Sequence, residues 1–255
     1  MDESLSAEKS TILTTKTLKI ADVNKKIESY QIENFVSAPH QAFYMWGMKP
    51  GESNPCPREI INKNNKYIKG KIVGPKEIET LIKKYPDSEL YDLWQQIPRW
   101  IVKADLGRLV YLYHYGGFYF DIDCEIKQNF LDDIKHDTIL FTEFILDNTD
   151  RLGLREIKDK AHKLRVANYA MGSRVKKNKF YQKCIEECMR RLKIIFRERN
   201  KISDKDVLWL CGPDVITTIY HQKNSKDKMN IQLFPEKIVE NKKLCFLDKK
   251  KHIII

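Results

Sequence analysis

The chain has 255 residues, long enough to bury a sizeable core, and its 42% hydrophobic and 32% charged content describes a globular protein rather than a disordered one. Lys and Arg exceed Asp and Glu by 46 to 35, a formal charge of +11 that favours anionic partners such as nucleotides, nucleic acid or acidic lipid. No apolar run approaches the roughly 18 to 20 residues of a membrane span, and Met1–Ser10 is acidic and polar, so neither a signal peptide nor an integral membrane span is expected.

Residues 1 to 34 are polar and weakly patterned and read as a lead-in, with a single domain over 35 to 255. The first core strand is expected over Gln41 to Trp46, closed by Gly47 and the loop containing Pro50, Gly51, Pro55 and Pro57. A short helix should open near Pro57, followed by a strand over Tyr67 to Val73 and a helix over Lys76 to Tyr85. Strand and helix alternating in this way favour an α/β fold with a mostly parallel sheet flanked by helices.

Trp100 to Tyr115 is the clearest helix. Val102, Leu106, Leu109, Val110 and Tyr113 form its core stripe, Asp105 and Arg108 lie on a neighbouring face, and Gly116 is placed to stop it. Later strands are expected over Thr138 to Leu146 and Val166 to Met171, with a basic amphipathic helix over Phe180 to Phe196. Val207 to Leu210 runs into the turn Cys211-Gly212-Pro213-Asp214, which can open a helix through Tyr220. Ile253 to Ile255 read as a closing strand or core packing. The six cysteines show no zinc spacing and are expected reduced, Cys184 and Cys188 as helix-packing residues.

The most informative stretch is Gly116-Gly117-Phe118-Tyr119-Phe120-Asp121-Ile122-Asp123. On an extended strand Phe118, Phe120 and Ile122 share one face, and Tyr119, Asp121 and Asp123 the other. Two neighbouring carboxylates repel unless a cation bridges them or one keeps a proton, so the pattern suggests a divalent metal and a phosphorylated substrate.

Ala104-Asp105-Leu106-Gly107-Arg108, Tyr111-Leu112 and the block from Gly116 to Asp123 resemble the sugar-binding and DXD region of glycosyltransferase family 32. Pro39, His40-Gln41, Phe43 and Trp46-Gly47, with Ala167-Asn168-Tyr169-Ala170 and Gly212-Pro213, extend the resemblance over roughly residues 36 to 221. It implies a GT-A, Rossmann-like nucleotide-binding fold and a retaining sugar transfer from a UDP- or GDP-linked donor to a carbohydrate-type acceptor on a glycan, lipid or protein. It also implies that Asp123 ligates Mn²⁺ or Mg²⁺, that Asp121 touches the metal or the donor ribose, that Asp105 and Arg108 hold hydroxyls of the donor sugar, and that Gly117 and Gly212 border the substrate. Without an anchor, a soluble cytoplasmic enzyme of bacterial or viral type is expected.

Several residues keep two readings. Trp46 can stack on a nucleotide base or belong to the core. Asn168 can bind substrate or a backbone group, Asp105 and Arg108 can be an i, i+3 surface pair, and Gly212-Pro213 can be a plain turn. His252 can be a third metal ligand or a solvated residue of the lysine-rich tail. Among rival functions, a haloacid-dehalogenase-type phosphohydrolase expects Thr or Val where Glu125 stands, and an EF-hand expects glycine where Ile126 stands. A nucleic-acid binder accounts for the charge but leaves the paired carboxylates unexplained, so no nucleic-acid partner is expected.

Overall fold

A computed structural model of the chain describes residues 41–145, 164–198, 201–222 and 229–241. The expected lead-in over 1 to 34, His252 and the terminal isoleucines lie outside the described residues. Strand β1 (Ala42–Met45) leads through a Pro- and Gly-rich loop into α1 (Glu59–Asn64), β2 (Gly70–Val73), α2 (Pro75–Lys83), α3 (Glu89–Gln96) and α4 (Trp100–Tyr115). Then come β3 (Gly117–Phe120), β4 (Cys124–Ile126), β5 (Thr138–Ile145) and β6 (Leu164–Ser173). Helices α5 (Lys179–Glu198), α6 (Asp204–Leu210) and α7 (Pro213–His221) precede β7 (Ile231–Phe234) and β8 (Val239–Asn241).

Six strands form one sheet in the order β2-β1-β3-β6-β5-β7, and β4 pairs with β8 in a separate two-stranded sheet. In the large sheet β2, β1 and β3 run parallel, β6 is antiparallel to both β3 and β5, and β7 is again parallel to β5. The expected α/β architecture with a mostly parallel sheet is therefore present, with β6 as the reversed strand.

Side-chain alternation along β3 sends its residues into two different cores. Tyr119 joins Phe43 and the apolar faces of α2 to α7, while Phe118 and Phe120 join the opposite core with Ile61 of α1, Cys124 and Ile126 of β4 and Val239 of β8. Helices thus cover one face of the sheet, and α1 with the small sheet covers the other.

Helix α4 spans the residues read from the sequence, and Gly116, at φ +67°, ends it with its N–H on the Leu112 carbonyl at 2.9 Å. Left-handed backbone of this kind favours glycine. The helix is buried on every side from Ala104 to Tyr113, so Asp105 and Arg108 are not on a solvated face. Pro75 and Pro213 start α2 and α7, and a Ser203–Asp206 capping box starts α6. Val207 to Leu210 therefore belongs to a helix, and α3, β4, β7 and β8 are further elements the sequence reading did not place. Cys184 and Cys188 pack in the larger core as free thiols. No described helix is long and apolar enough to cross a membrane.

Arg191 of α5 is fully buried and joins three helices. Its Nε donates to Glu187 at 2.7 Å, one terminal nitrogen to the Trp209 carbonyl at 2.6 Å and the other to the Thr218 hydroxyl at 3.1 Å. Removing one member of such a buried set leaves its partners unsatisfied. Arg191→Ala should lower unfolding stability by about 3 kcal/mol or more, read as a fall in the urea midpoint.

Candidate active site

Strand β3 stops at Phe120, three residues short of the alternation expected through Asp123. Its pairing with β1 has already ended at Tyr119, so no neighbour on that side keeps the chain extended. Asp121 still donates its N–H to the Tyr169 carbonyl of β6 at 2.8 Å, and Cys124 N–H closes a turn on the Asp121 carbonyl at 2.9 Å. The two aspartates thus belong to a turn between the two sheets. Buried Asn64 of α1 holds its far side, donating to the Cys124 carbonyl at 2.7 Å and to Tyr44 at 3.0 Å while accepting from Ile126 N–H at 2.9 Å.

Arg108 joins α4 to this turn. Its guanidinium contacts Asp105 at 2.9 Å and Asp121 at 3.3 Å and donates to the Asn168 carbonyl at 2.8 Å. Tyr119 places its ring under the same guanidinium, 4.5 Å from ring centre to Cζ, and donates its hydroxyl to Asp121. Asn168 donates its side-chain amide to Asp105 at 3.2 Å, so both its side chain and its backbone enter the network. With both side chains under a tenth exposed, the Asp105–Arg108 pair is no surface bridge.

These residues line a cavity of about 680 Å³, within the range of small-molecule sites, roughly 300 to 1,000 Å³. Its wall includes Trp46, Asp105, Arg108, Tyr119, Asp121, Asp123 and Asn168. Trp46 follows β1 and donates its indole N–H to the Asn54 carbonyl at 3.0 Å, which fixes the ring at the cavity; neither apolar core includes it.

The structure does not bring Gly117 and Gly212 to the cavity wall. Gly117 starts β3 opposite Ser173, at the end away from the aspartates, with φ +81° in the turn leaving α4. Gly212 sits where a Cβ would meet the Leu208 carbonyl oxygen at 2.8 Å, so it serves the close junction of α6 and α7; its neighbour Pro213 lines the cavity instead. His252 lies outside the described residues.

Two lining residues had gone unnoticed in the sequence, Glu143 of β5 and Arg165 of β6, which form an ion pair at 2.8 Å. Each is a charge inside an apolar strand segment, and that was the available signal. Asp214, in the first turn of α7, is buried, and neither carboxylate oxygen has a hydrogen-bond partner among the described residues.

The cavity wall carries six carboxylates, from Glu52, Glu59, Asp105, Asp121, Asp123 and Glu143, against the three cations Lys49, Arg108 and Arg165. Burial pushes Asp105 up to about 6; the Arg108 guanidinium opposes the shift and Asp121 adds to it. Burial also raises Asp121, with Asp123 repelling its charge and Arg108 and the Tyr119 hydroxyl favouring it. For Arg108, burial works against the charge, but Tyr119, Asp121, Asp105 and Asp123 outweigh it and hold the group protonated.

An α/β sheet that ends a strand in an Asp-x-Asp turn, beside a cavity of this size with carboxylates on its wall, fits a site for a metal-assisted nucleotide-sugar ligand. The family described as "Glycosyltransferase sugar-binding region containing DXD motif" matches residues 4–143, more than half of the chain, and the chain belongs to it. It is a sugar-transferring enzyme built on a mixed α/β sheet. Among solved structures it is similar to the PaToxG glycosyltransferase, at 16% identity and a TM-score of 0.49 over 81% of this chain and 78% of that one. It is also similar to a transferase bearing two cysteine-to-serine substitutions, at 8% identity and a TM-score of 0.38 over 80% and 95% of the two chains. No curated protein matches the sequence.

Burial lifts Asp214 from the ordinary aspartate value to about 7. Between about pH 4 and 7 the folded chain holds a proton that the unfolded chain has released, so stability falls as the pH rises through that window. Asp214→Asn, which has no charge to bury, should therefore raise the thermal midpoint at about pH 8 and flatten its pH dependence, as read by calorimetry across the pH range.

Proposed function

We propose that the enzyme moves a hexose from a UDP- or GDP-linked donor to a carbohydrate-type acceptor with retention of anomeric configuration, assisted by Mn²⁺ or Mg²⁺. The observation that carries this reading is the Arg108 network, which gathers Asp105, Asp121 and Asn168 onto one cavity wall beside the Asp-x-Asp turn.

A diphosphate entering a cavity with six carboxylates and three cations meets net repulsion, and two of those cations, Arg108 and Arg165, already face carboxylates. The wall thus fits a divalent cation as the partner that admits the donor. Asp121 and Asp123 are the hard oxygen ligands suited to Mg²⁺ or Mn²⁺. Among the described residues no cluster of three or more metal-ligating side chains exists, so donor phosphates and water would complete the shell. The ion would neutralise the charge that grows on the leaving nucleoside diphosphate.

The protein's own groups do the rest by position. Trp46 offers a half-buried ring, anchored at its N–H, as a platform for the base. Asp105 and Arg108 present one acceptor and one fork of donors to sugar hydroxyls, and Asn168 keeps Asp105 oriented toward them. The acceptor hydroxyl attacks from the side of the leaving group, and catalysis rests on orientation and a fixed electrostatic field.

A thermal-shift panel of UDP, GDP and their sugar conjugates, with and without Mn²⁺, tests the donor class. A ligand at 100 times its Kd should add about 2.7 kcal/mol to stability, and silence across the panel would overturn the reading. Asp123→Asn should keep the fold while losing both transfer and the Mn²⁺-dependent shift; retained activity would remove Asp123 from the metal. Arg108→Lys should lower kcat at least about tenfold, because an ammonium cannot span Asp105, Asp121 and the Asn168 carbonyl together. Unchanged steady-state kinetics would make the network purely structural.

A further inference from the structure

We propose that Glu143 and Arg165 form a second sugar-reading subsite of the cavity, one that takes neighbouring hydroxyls of a neutral hexose. The inference rests on the glycosyltransferase reading above and adds two residues to it.

The pairing of β5 with β6 shifts register between Leu140 and Thr142 and again between Thr142 and Phe144, so Glu143 is a residue the ladder skips. Irregularities of this kind re-aim side chains next to sites. Here Glu143 lines the cavity, with Arg165 of the adjacent strand beside it.

The two side chains are only 12% and 6% exposed, and the Arg165 Nε to Glu143 Oε2 distance is 2.8 Å. An ion pair this buried is a poor device for stability, because apolar side chains of similar volume usually serve as well or better. Its place on the wall of a sugar-transferring cavity supplies a reason that strand packing does not.

A carboxylate accepts about four hydrogen bonds, more than the one contact of Glu143 with Arg165 uses. Buried Glu143 Oε2 makes no well-formed hydrogen bond among the described residues, although Arg165 Nε lies 2.8 Å away. Adjacent sugar hydroxyls both donate and accept, and so they match an acceptor and a donor fork set side by side. The pair is electrically neutral, and Glu143 would repel a phosphate or a uronate, so the ligand it selects is an uncharged ring. That ring can be the donor hexose or the acceptor sugar.

The double variant Glu143→Leu/Arg165→Met removes both charges without orphaning either and should fold. Calorimetric titration with Mn²⁺ and UDP or GDP, then with the matching nucleotide hexose, reads the donor. Steady-state transfer to a neutral methyl hexoside reads the acceptor. A loss of at least about tenfold in nucleotide-hexose affinity, with the nucleoside diphosphate bound as before, places the donor hexose on the pair. Undiminished donor affinity with the methyl hexoside KM raised at least about tenfold places the acceptor there. If the double variant does not fold, Glu143→Gln, which keeps the shape, is read by the same two losses. A folded variant that matches the wild type in both measurements overturns the subsite while leaving the transferase reading intact. A wild-type chain that binds no nucleotide hexose overturns both.

Discussion

Everything at the cavity depends on one buried cation. Arg108 is the single point at which helix α4, the turn after β3 and the backbone of β6 meet, through Asp105, Asp121 and the Asn168 carbonyl. A guanidinium is the side chain that can serve three oxygen acceptors lying in different directions while its face rests on Tyr119. Its charge also offsets that of the carboxylates around it, which burial alone would push toward their neutral forms. Without that cation, the carboxylates of Asp105 and Asp121, which come from separate parts of the fold, would face each other uncompensated.

Much of this was legible in the sequence, and the reasons for the rest are physical. The helix from Trp100 to Tyr115 could be read because apolar spacing and Gly116 agree on its ends. Spacing also put Asp105 and Arg108 one turn apart, but not their burial, which arises because α4 is covered on all sides by other elements. The aspartate pair was plain, whereas the turn that carries it was not, since the length of β3 depends on where β1 ceases to pair. Glu143 and Arg165 meet only because β5 and β6 are antiparallel and out of regular register. No local pattern announces a long-range pairing of that kind. Gly117 was read as a site residue from its place in the motif, yet its backbone conformation serves the exit from α4.

The distribution of charge adds a second layer. The chain carries +11 overall, but carboxylates outnumber cations on the cavity wall. A net positive charge attracts anions at long range, whereas the carboxylates of the wall repel them at close range. Attraction and discrimination are thereby assigned to different regions of the molecule.

The bonds of Asn64 have a consequence for how the aspartate turn responds to its ligands. One end of the turn is held by β6 through Asp121, the other by α1 through Cys124 and Ile126, and the same amide reaches Tyr44 of β1, the strand that leads into Trp46. The turn is therefore set during folding and has little left to order when a ligand arrives, so that less of the binding free energy is spent on immobilising it. A single buried amide thus works as a hinge pin with no hinge, keeping the carboxylate turn and the strand before Trp46 in one frame.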